Sequence, residues 1–154
     1  MRTTLKRKCT PHVRISAFVF LTYAGLLGTK QHNLPFGING RIGGICLTGE
    51  KVVAVTDDGD YSGVREAARQ LSLLMGAVYD GDSPPGSDFV KGSDGAKSCN
   101  PNEGFLMGKW EGKDQKSFNL SKCTPHQHIT GLRQRGPGCY GTPAEKKNML
   151  KTIK

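Results

Sequence analysis

Cys123, His126 and His128 place a thiol and two imidazoles within six residues. Thiolate sulfur and imidazole nitrogen are donors that zinc prefers in proteins. The cysteines from Cys46 onward, however, are widely spaced and form no C-x-x-C pair, which favours two disulfides in an oxidising compartment over a zinc ribbon. Cys123 is therefore better interpreted as a disulfide partner. A metal site that uses the two histidines is kept as an alternative.

Two glycine-containing segments could bind phosphate. In GINGRIGG (37–44) the glycines do not follow the G-x-G-x-x-G spacing and no helix follows directly, so we reject dinucleotide binding. VVAVTDDGDYSG (52–63) runs from a strand through a Gly-Asp turn to the start of a helix, where an anion could bind. Acidic residues just before that helix would repel an anion, so a small phosphate-handling enzyme is a distant alternative.

The net charge of +9 is concentrated at the two ends of the 154-residue chain. The segment between these ends is nearly balanced, and it does not interleave aromatic with basic residues as a base-stacking surface does. We therefore expect no nucleic-acid partner. The residues responsible are Arg2, Lys6, Arg7, Lys8 and Arg14 near the N-terminus and Lys146, Lys147, Lys151 and Lys154 in the tail.

One domain is expected over residues 15–140, between a basic segment (1–14) and a basic tail (141–154). Its first apolar stretch, 15–28, resembles a signal-peptide core and is too short for a stable membrane span. The alternative for the same stretch is a buried strand from Ser16 to Thr22.

Further along the chain, Ile42–Leu47 and Lys51–Thr56 read as strands. A helix should begin after Ser62, which is a good N-cap, and end at Gly76. Its apolar stripe consists of Val64, Ala67, Ala68, Leu71, Leu74 and Met75.

Residues 80–103 read as a loop rich in proline, glycine and serine. A second helix is expected over Ser121–Gln134, with His126, Ile129 and Leu132 on one face. Asn119-Leu120-Ser121 is a glycosylation sequon, usable only if the chain is secreted.

The order of these elements resembles the reprolysin-type (adamalysin-like) metzincin metalloproteases, most closely their secreted salivary branch. The resemblance rests on GRIGGIC (40–46), VAVTDDGDYSGVREAARQL (53–71), MGAVYDGDSPPG (75–86), AKSCNPNEGFLMG (96–108) and SFNLSKC (117–123). It implies an α/β (α+β) fold: part of a zincin-like catalytic domain, with a short mixed sheet, an active-site helix and a disulfide-tied C-terminal subdomain. Strands that precede 15–22 in the family have no counterpart here.

The family motif H-E-x-x-H-x-x-G-x-x-H, followed by Asp, holds zinc with three imidazoles and uses the Glu as general base. With Gly76 at the glycine, the ligand positions are Arg69, Leu73 and Tyr79, and the matching Asp is Asp80. Gln70 stands at the general-base position. Arg offers no lone pair, Leu has no donor atom and Gln cannot accept a proton as a carboxylate does. The bend is kept, whereas the zinc ligands and the base are replaced.

Further implications of the resemblance are a Met-turn at Met107 and the disulfides Cys46–Cys139 and Cys99–Cys123. Zinc is the family cofactor, but the replaced ligands lead us to expect no cofactor here. We also expect Arg69 and Leu73 to line a metal-free groove that holds an extended peptide against the strand ending at Cys46.

The sequence thus favours a secreted, monomeric pseudoprotease that binds a peptide or protein without cleaving it. One alternative is an active zinc endopeptidase, with His126 and His128 as its paired imidazoles. Another is a truncated product without function.

Overall fold

The computed structural model describes residues 18–23, 37–39, 41–57, 61, 63–110 and 115–140. These ranges contain both strands and helices, with single 3-10 turns at Pro101–Glu103 and Gln115–Phe118. Two disulfides, Cys46–Cys139 and Cys99–Cys123, are present, and they are the two pairs that the family resemblance implies. The mixed content agrees with the expected α+β class.

A small mixed sheet forms one side of the domain. It contains β1 (Phe18–Tyr23), β2 (Gly37–Asn39) and β3 (Val52–Asp57), in the order β1-β3-β2. β1 runs parallel to β3 and β2 runs antiparallel to it. Of the two interpretations of the first apolar stretch, the structure has the strand. β3 buries alternate residues, Val53 and Val55, as expected for a strand with one face on the core.

The first helix, α1 (Gly63–Leu74), follows β3 closely. The Asp57 side chain accepts a hydrogen bond from the Gly63 amide (2.9 Å), so a carboxylate from the end of β3 caps the positive end of the helix. The expected cap, Ser62, lies outside the described residues.

The predicted apolar stripe of α1 is wrong at its first position and incomplete near its end. Val64 is 50% exposed, whereas Leu73, expected in the groove, is only 6% exposed. Leu73 packs with Ala77, Leu106 and Met107, because the chain returns over this side of the helix and covers it. The helix is therefore covered on more than one side, which a single-stripe pattern does not reveal.

The strand predicted at Ile42–Leu47 is also wrong, since this segment forms turns. Gly43 and Cys46 have positive φ angles (67° and 69°), which are incompatible with an extended strand. The amides of Gly43 and Ile45 donate to the carbonyls of Leu73 and Leu74, at 2.8 and 3.1 Å. The turns thus satisfy carbonyls at the end of α1 that have no partner within the helix.

The second helix, α2 (Cys123–Arg135), is followed by a short α3 (Pro137–Tyr140). The face that carries His126 and Ile129 is not the buried one, because both residues are exposed. The buried residues are instead Thr124, Gln127 and Gly131. These buried residues are small or polar because this face of α2 packs against main-chain atoms of another segment. For example, the Gln127 side chain accepts a hydrogen bond from the Val78 amide at 2.8 Å.

Within the described ranges, no helix has the length and apolar character to cross a bilayer.

Candidate functional site

The chain bends sharply where α1 ends. Gly76 has φ 105°, a conformation that favours glycine, and its amide donates to the Leu73 carbonyl at 3.0 Å. After the bend, the Asp80 amide donates to the Met107 carbonyl at 3.0 Å. The bend therefore brings residues 77–80 against the turn around Met107.

Asp80 is buried and bonded at the base of this bend. Its Oδ1 atom accepts a hydrogen bond from the Ser121 hydroxyl at 2.7 Å. Burial raises the pKa of Asp80, the Ser121 bond acts in the opposite direction, and the Glu103 carboxylate raises it again. The carboxyl group ties the bend to the start of α2.

Arg65 fixes the turn around Met107 from the other side. The buried guanidinium donates to the carbonyls of Phe105, Leu106 and Gly108 through Nη2, at 3.1 to 3.3 Å. Its Nε donates to the Ser117 carbonyl at 3.1 Å. Loss of hydration lowers the pKa of Arg65, and repulsion from Arg69 lowers it further. The planar group with five N–H donors suits a site made of several carbonyl oxygens.

Two of the three ligand positions contact each other directly. The Arg69 guanidinium lies 4.6 Å from the centre of the Tyr79 ring, within cation–π range. Arg69 also pairs with the Glu66 carboxylate at 3.5 Å. The remaining position, Leu73, contributes a buried alkyl side chain to the cluster that contains Met107.

Gln70, at the general-base position, is buried and already bonded. Its amide nitrogen donates to Glu66 Oε1 at 2.5 Å, so one carboxylate holds both Arg69 and Gln70. Burial raises the pKa of the Tyr79 phenol, and the positive charge of Arg69 counteracts part of the rise. The side chains at the motif positions therefore contact one another through hydrogen bonds and charge. They do not direct metal-donor atoms towards a common point.

An open pocket of about 350 Å³ adjoins these residues. Charged side chains of both signs line it, and the half-buried Tyr79 ring adds apolar surface above the buried Met107. Arg69 lines the pocket as expected, whereas Leu73 does not. The full lining is Arg69, Tyr79, Asp80, Gly81, Asp82, Pro101, Met107, Gly108 and Lys109.

The alternative metal ligands on α2 do not converge. Cys123 is in a disulfide with Cys99, and the exposed His126 lies 3.4 Å from Asp94. His128 is half-buried two positions further along the helix, which turns it to another face, and burial lowers its pKa. Across the described ranges, no three His, Cys, Asp or Glu side chains are close enough together to hold a metal ion.

Sequence reasoning missed Glu66 and Arg65, the two residues that organise the site. For Glu66 a signal exists: it lies three and four positions before Arg69 and Gln70, the spacing at which side chains meet on a helix. For Arg65 nothing in the sequence identifies its four carbonyl partners, because they lie 40 or more positions away.

Curated relatives are metalloproteinases. Over 119 residues, 73% of this chain, the sequence is 29% identical to "A disintegrin and metalloproteinase with thrombospondin motifs like" from Bombyx mori, of which it covers 17%. It is 31% identical, over 69% of its length, to venom metalloproteinase antarease-like TtrivMP_A from Tityus trivittatus. To antarease-like TserMP_B from Tityus serrulatus it is 30% identical. The chain spans 27% and 46% of these two scorpion proteins. No family model matches it.

These relatives correct one expectation. We expected no cofactor, but relatives that are named metalloproteinases imply a metal, zinc in the family that the sequence resembles. The side chains at the motif positions do not fit that ion: Arg69 brings a fixed positive charge next to Tyr79, and Leu73 has no donor atom. No step of the chemistry is therefore derived through zinc. The three relatives are all named metalloproteinases, and the similarity to them supports a metalloprotease family for this chain.

Proposed function

We propose that the chain is a reprolysin-type metzincin domain that binds a peptide in the pocket beside Tyr79 without hydrolysing it. The observation that carries this proposal is the state of Gln70, which is buried and donates its amide nitrogen to Glu66. Metalloproteinase relatives and two disulfides support an extracellular, protease-derived domain.

Peptide hydrolysis by this family requires a carboxylate that takes a proton from the attacking water. A glutamine amide cannot take that proton. Glu66 is the nearest carboxylate, but it is largely buried and neutralised by Arg69, and it also accepts the Gln70 hydrogen bond. The side chains at the ligand and general-base positions, 69, 70, 73 and 79, therefore provide no carboxylate that could act as the base.

Peptide binding, unlike hydrolysis, needs no general base and requires only an accessible surface such as the pocket beside Tyr79. The pocket is open to solvent, and the half-buried Tyr79 ring offers apolar contact among the charged side chains of Arg69, Asp82 and Lys109. Such mixed surfaces bind peptides through an aromatic anchor surrounded by polar contacts. A bound peptide cannot pair with a strand at Ile42–Leu47 as expected, because that segment forms turns.

The test uses the purified full chain and a pool of short fluorescein-labelled peptides of random sequence. We expect saturable binding by fluorescence polarisation, weakened about tenfold or more by Tyr79→Ala. The matched control is Phe118→Ala, which removes an exposed aromatic residue outside the pocket lining and should leave binding unchanged. Equal affinities of the two variants would contradict the placement of the site.

The second candidate is an active zinc endopeptidase, favoured by the names of the relatives. A quenched version of the same peptides, incubated with the chain and added zinc, distinguishes the two functions. We expect no cleavage above that of a boiled sample. Cleavage that a chelator abolishes, with one zinc per chain by mass spectrometry of the native protein, would replace the binding function with the enzymatic one.

A further inference from the structure

The only N-x-S/T triplet in the sequence is Asn119-Leu120-Ser121, directly before α2. It lies between the turn at Gln115–Phe118 and the first residue of α2, outside the pocket lining. An N-linked glycan is large and hydrated, so it can be carried only where the asparagine side chain points into solvent.

The backbone around Asn119 is held in place while its side chain is exposed. The Asn119 amide donates to the Lys116 carbonyl and its carbonyl accepts from the Leu106 amide, both at 2.8 Å. Two residues before Asn119, the Ser117 carbonyl accepts from Arg65. Within the described residues, no hydrogen bond holds the Asn119 side chain. A glycan at this position would therefore displace none of the contacts that hold the segment.

The two residues beside Asn119 expose apolar surface. Phe118 is 63% exposed and Leu120 is 42% exposed, so two large apolar side chains flank the asparagine. Covering such apolar side chains removes them from water, which is favourable. A sugar attached between them lies within reach of both and would shield them from water.

The Ser121 hydroxyl of the sequon is buried, in contrast to the exposed Asn119 side chain. Ser121 is 2% exposed, donates to Asp80 at 2.7 Å and lies 3.2 Å from the Thr124 hydroxyl. An enzyme that recognises the Asn-x-Ser triplet cannot reach this hydroxyl in the folded domain. Two residues further on, Cys123 is bonded to Cys99, which closes the segment against the loop before it.

We propose that Asn119 carries an N-linked glycan that is attached before residues 117–124 fold and before the Cys99–Cys123 disulfide closes. The glycan then remains on the surface beside Phe118 and Leu120, while Ser121 turns inward to bond Asp80. The inference requires passage through the secretory pathway and is independent of whether the pocket binds peptide.

The first test expresses the full chain in eukaryotic cells behind a cleavable secretion signal. Material from medium and lysate in which Cys99–Cys123 is closed, as shown by peptide mapping, is treated with peptide N-glycosidase F. We expect the treatment to increase the electrophoretic mobility of the chain, and Asn119→Gln to abolish the change. The control Asn102→Gln alters an exposed asparagine that starts no sequon and should still shift. Unshifted wild-type chain with the disulfide closed would overturn the proposal.

The second test concerns the order of events. Purified unglycosylated chain is offered to oligosaccharyltransferase with a lipid-linked donor, either folded or reduced and unfolded. We expect the reduced chain to be modified and the folded chain to be modified at least tenfold less. Equal modification of both would show that the buried Ser121 does not restrict the enzyme, and would refute glycosylation before folding.

Discussion

Arg69, Gln70 and Tyr79 form one connected group around the Glu66 carboxylate. Arg69 pairs with Glu66 and lies over the Tyr79 ring, and Gln70 donates to the same carboxylate. Polar side chains that are largely removed from water need partners. Each of these three side chains has a charged or aromatic partner among the described residues, although the Arg69 Nε atom donates none of these hydrogen bonds.

Replacing Arg65 with Met should destabilise the domain more than any exposed charge change. The variant removes the guanidinium donor from the carbonyls of Leu106, Gly108 and Ser117, and one of two donors from the Phe105 carbonyl. We expect a loss of about 3 kcal/mol in the free energy of unfolding. Urea denaturation measures it. The control Arg133→Met, on the exposed side of α2, should stay within about 0.5 kcal/mol of wild type. Similar losses in both variants would contradict the role of Arg65.

Asp80 should make the domain less stable as pH rises through the range just above the ordinary carboxyl pKa. Burial raises the pKa of Asp80, so in this range the folded state binds the proton more tightly than the unfolded state does. The free energy of unfolding therefore falls with increasing pH across that range. Above it, Asp80 is ionised in both states and adds no further pH dependence. Asp80→Asn removes the effect. The difference in unfolding free energy between wild type and this variant, measured in urea at a series of pH values, should change only within that pH range.

Ser121→Ala provides the companion measurement. It removes the hydrogen bond that lowers the pKa of Asp80, so the fall in stability should extend to higher pH than in the wild type. Parallel profiles for wild type, Asp80→Asn and Ser121→Ala would show that this carboxyl does not titrate differently in the folded state.

At the scale of elements, periodicity identified α1, α2 and β3 but not what each packs against. α1 is covered on several sides, so Leu73 is buried although it lies opposite the predicted stripe. α2 buries Thr124, Gln127 and Gly131 because it lies on backbone, and hydrophobic patterning cannot detect a face that packs on backbone. Residues 42–47 form turns although Ile and Leu favour a strand, because Gly43 and Cys46 adopt positive φ angles.

The contact between the end of α1 and α2 depends on two glycines. A Cβ atom at Gly131 would lie 2.1 Å from the Met75 carbonyl oxygen and 3.0 Å from the Cα of Gly76. We therefore expect Gly131→Ala to lower the free energy of unfolding by about 2 kcal/mol or more, through separation of the two helices.

Gly138→Ala is the matched control, because a Cβ there meets nothing within 4 Å. It should change stability by less than about 1 kcal/mol. Thermal unfolding followed by circular dichroism compares the two variants. If Gly131→Ala were as stable as Gly138→Ala, the close approach of the helices would be wrong.

At the scale of the whole molecule, the fold of this short domain depends on cross-links that join distant parts of the chain. Cys46–Cys139 connects the turns that cover the end of α1 to the short helix α3, across 93 positions. Cys99–Cys123 joins the loop beside the pocket to the start of α2, across 24 positions. The spacing of the cysteines indicated two disulfides, but the pairing followed only from the family resemblance, since four cysteines allow three connectivities.

Removing the longer link should cost more than removing the shorter one. Loop-closure entropy assigns about 4.7 kcal/mol to a loop of 93 residues and about 3.5 kcal/mol to one of 24. The double variant Cys46→Ala/Cys139→Ala should therefore unfold at lower urea than Cys99→Ala/Cys123→Ala, by about 1 kcal/mol in the free energy of unfolding. Both variants keep one link intact, so each is the control for the other. The opposite order would mean that local packing of Cys99, which is buried, outweighs the constraint on the unfolded chain.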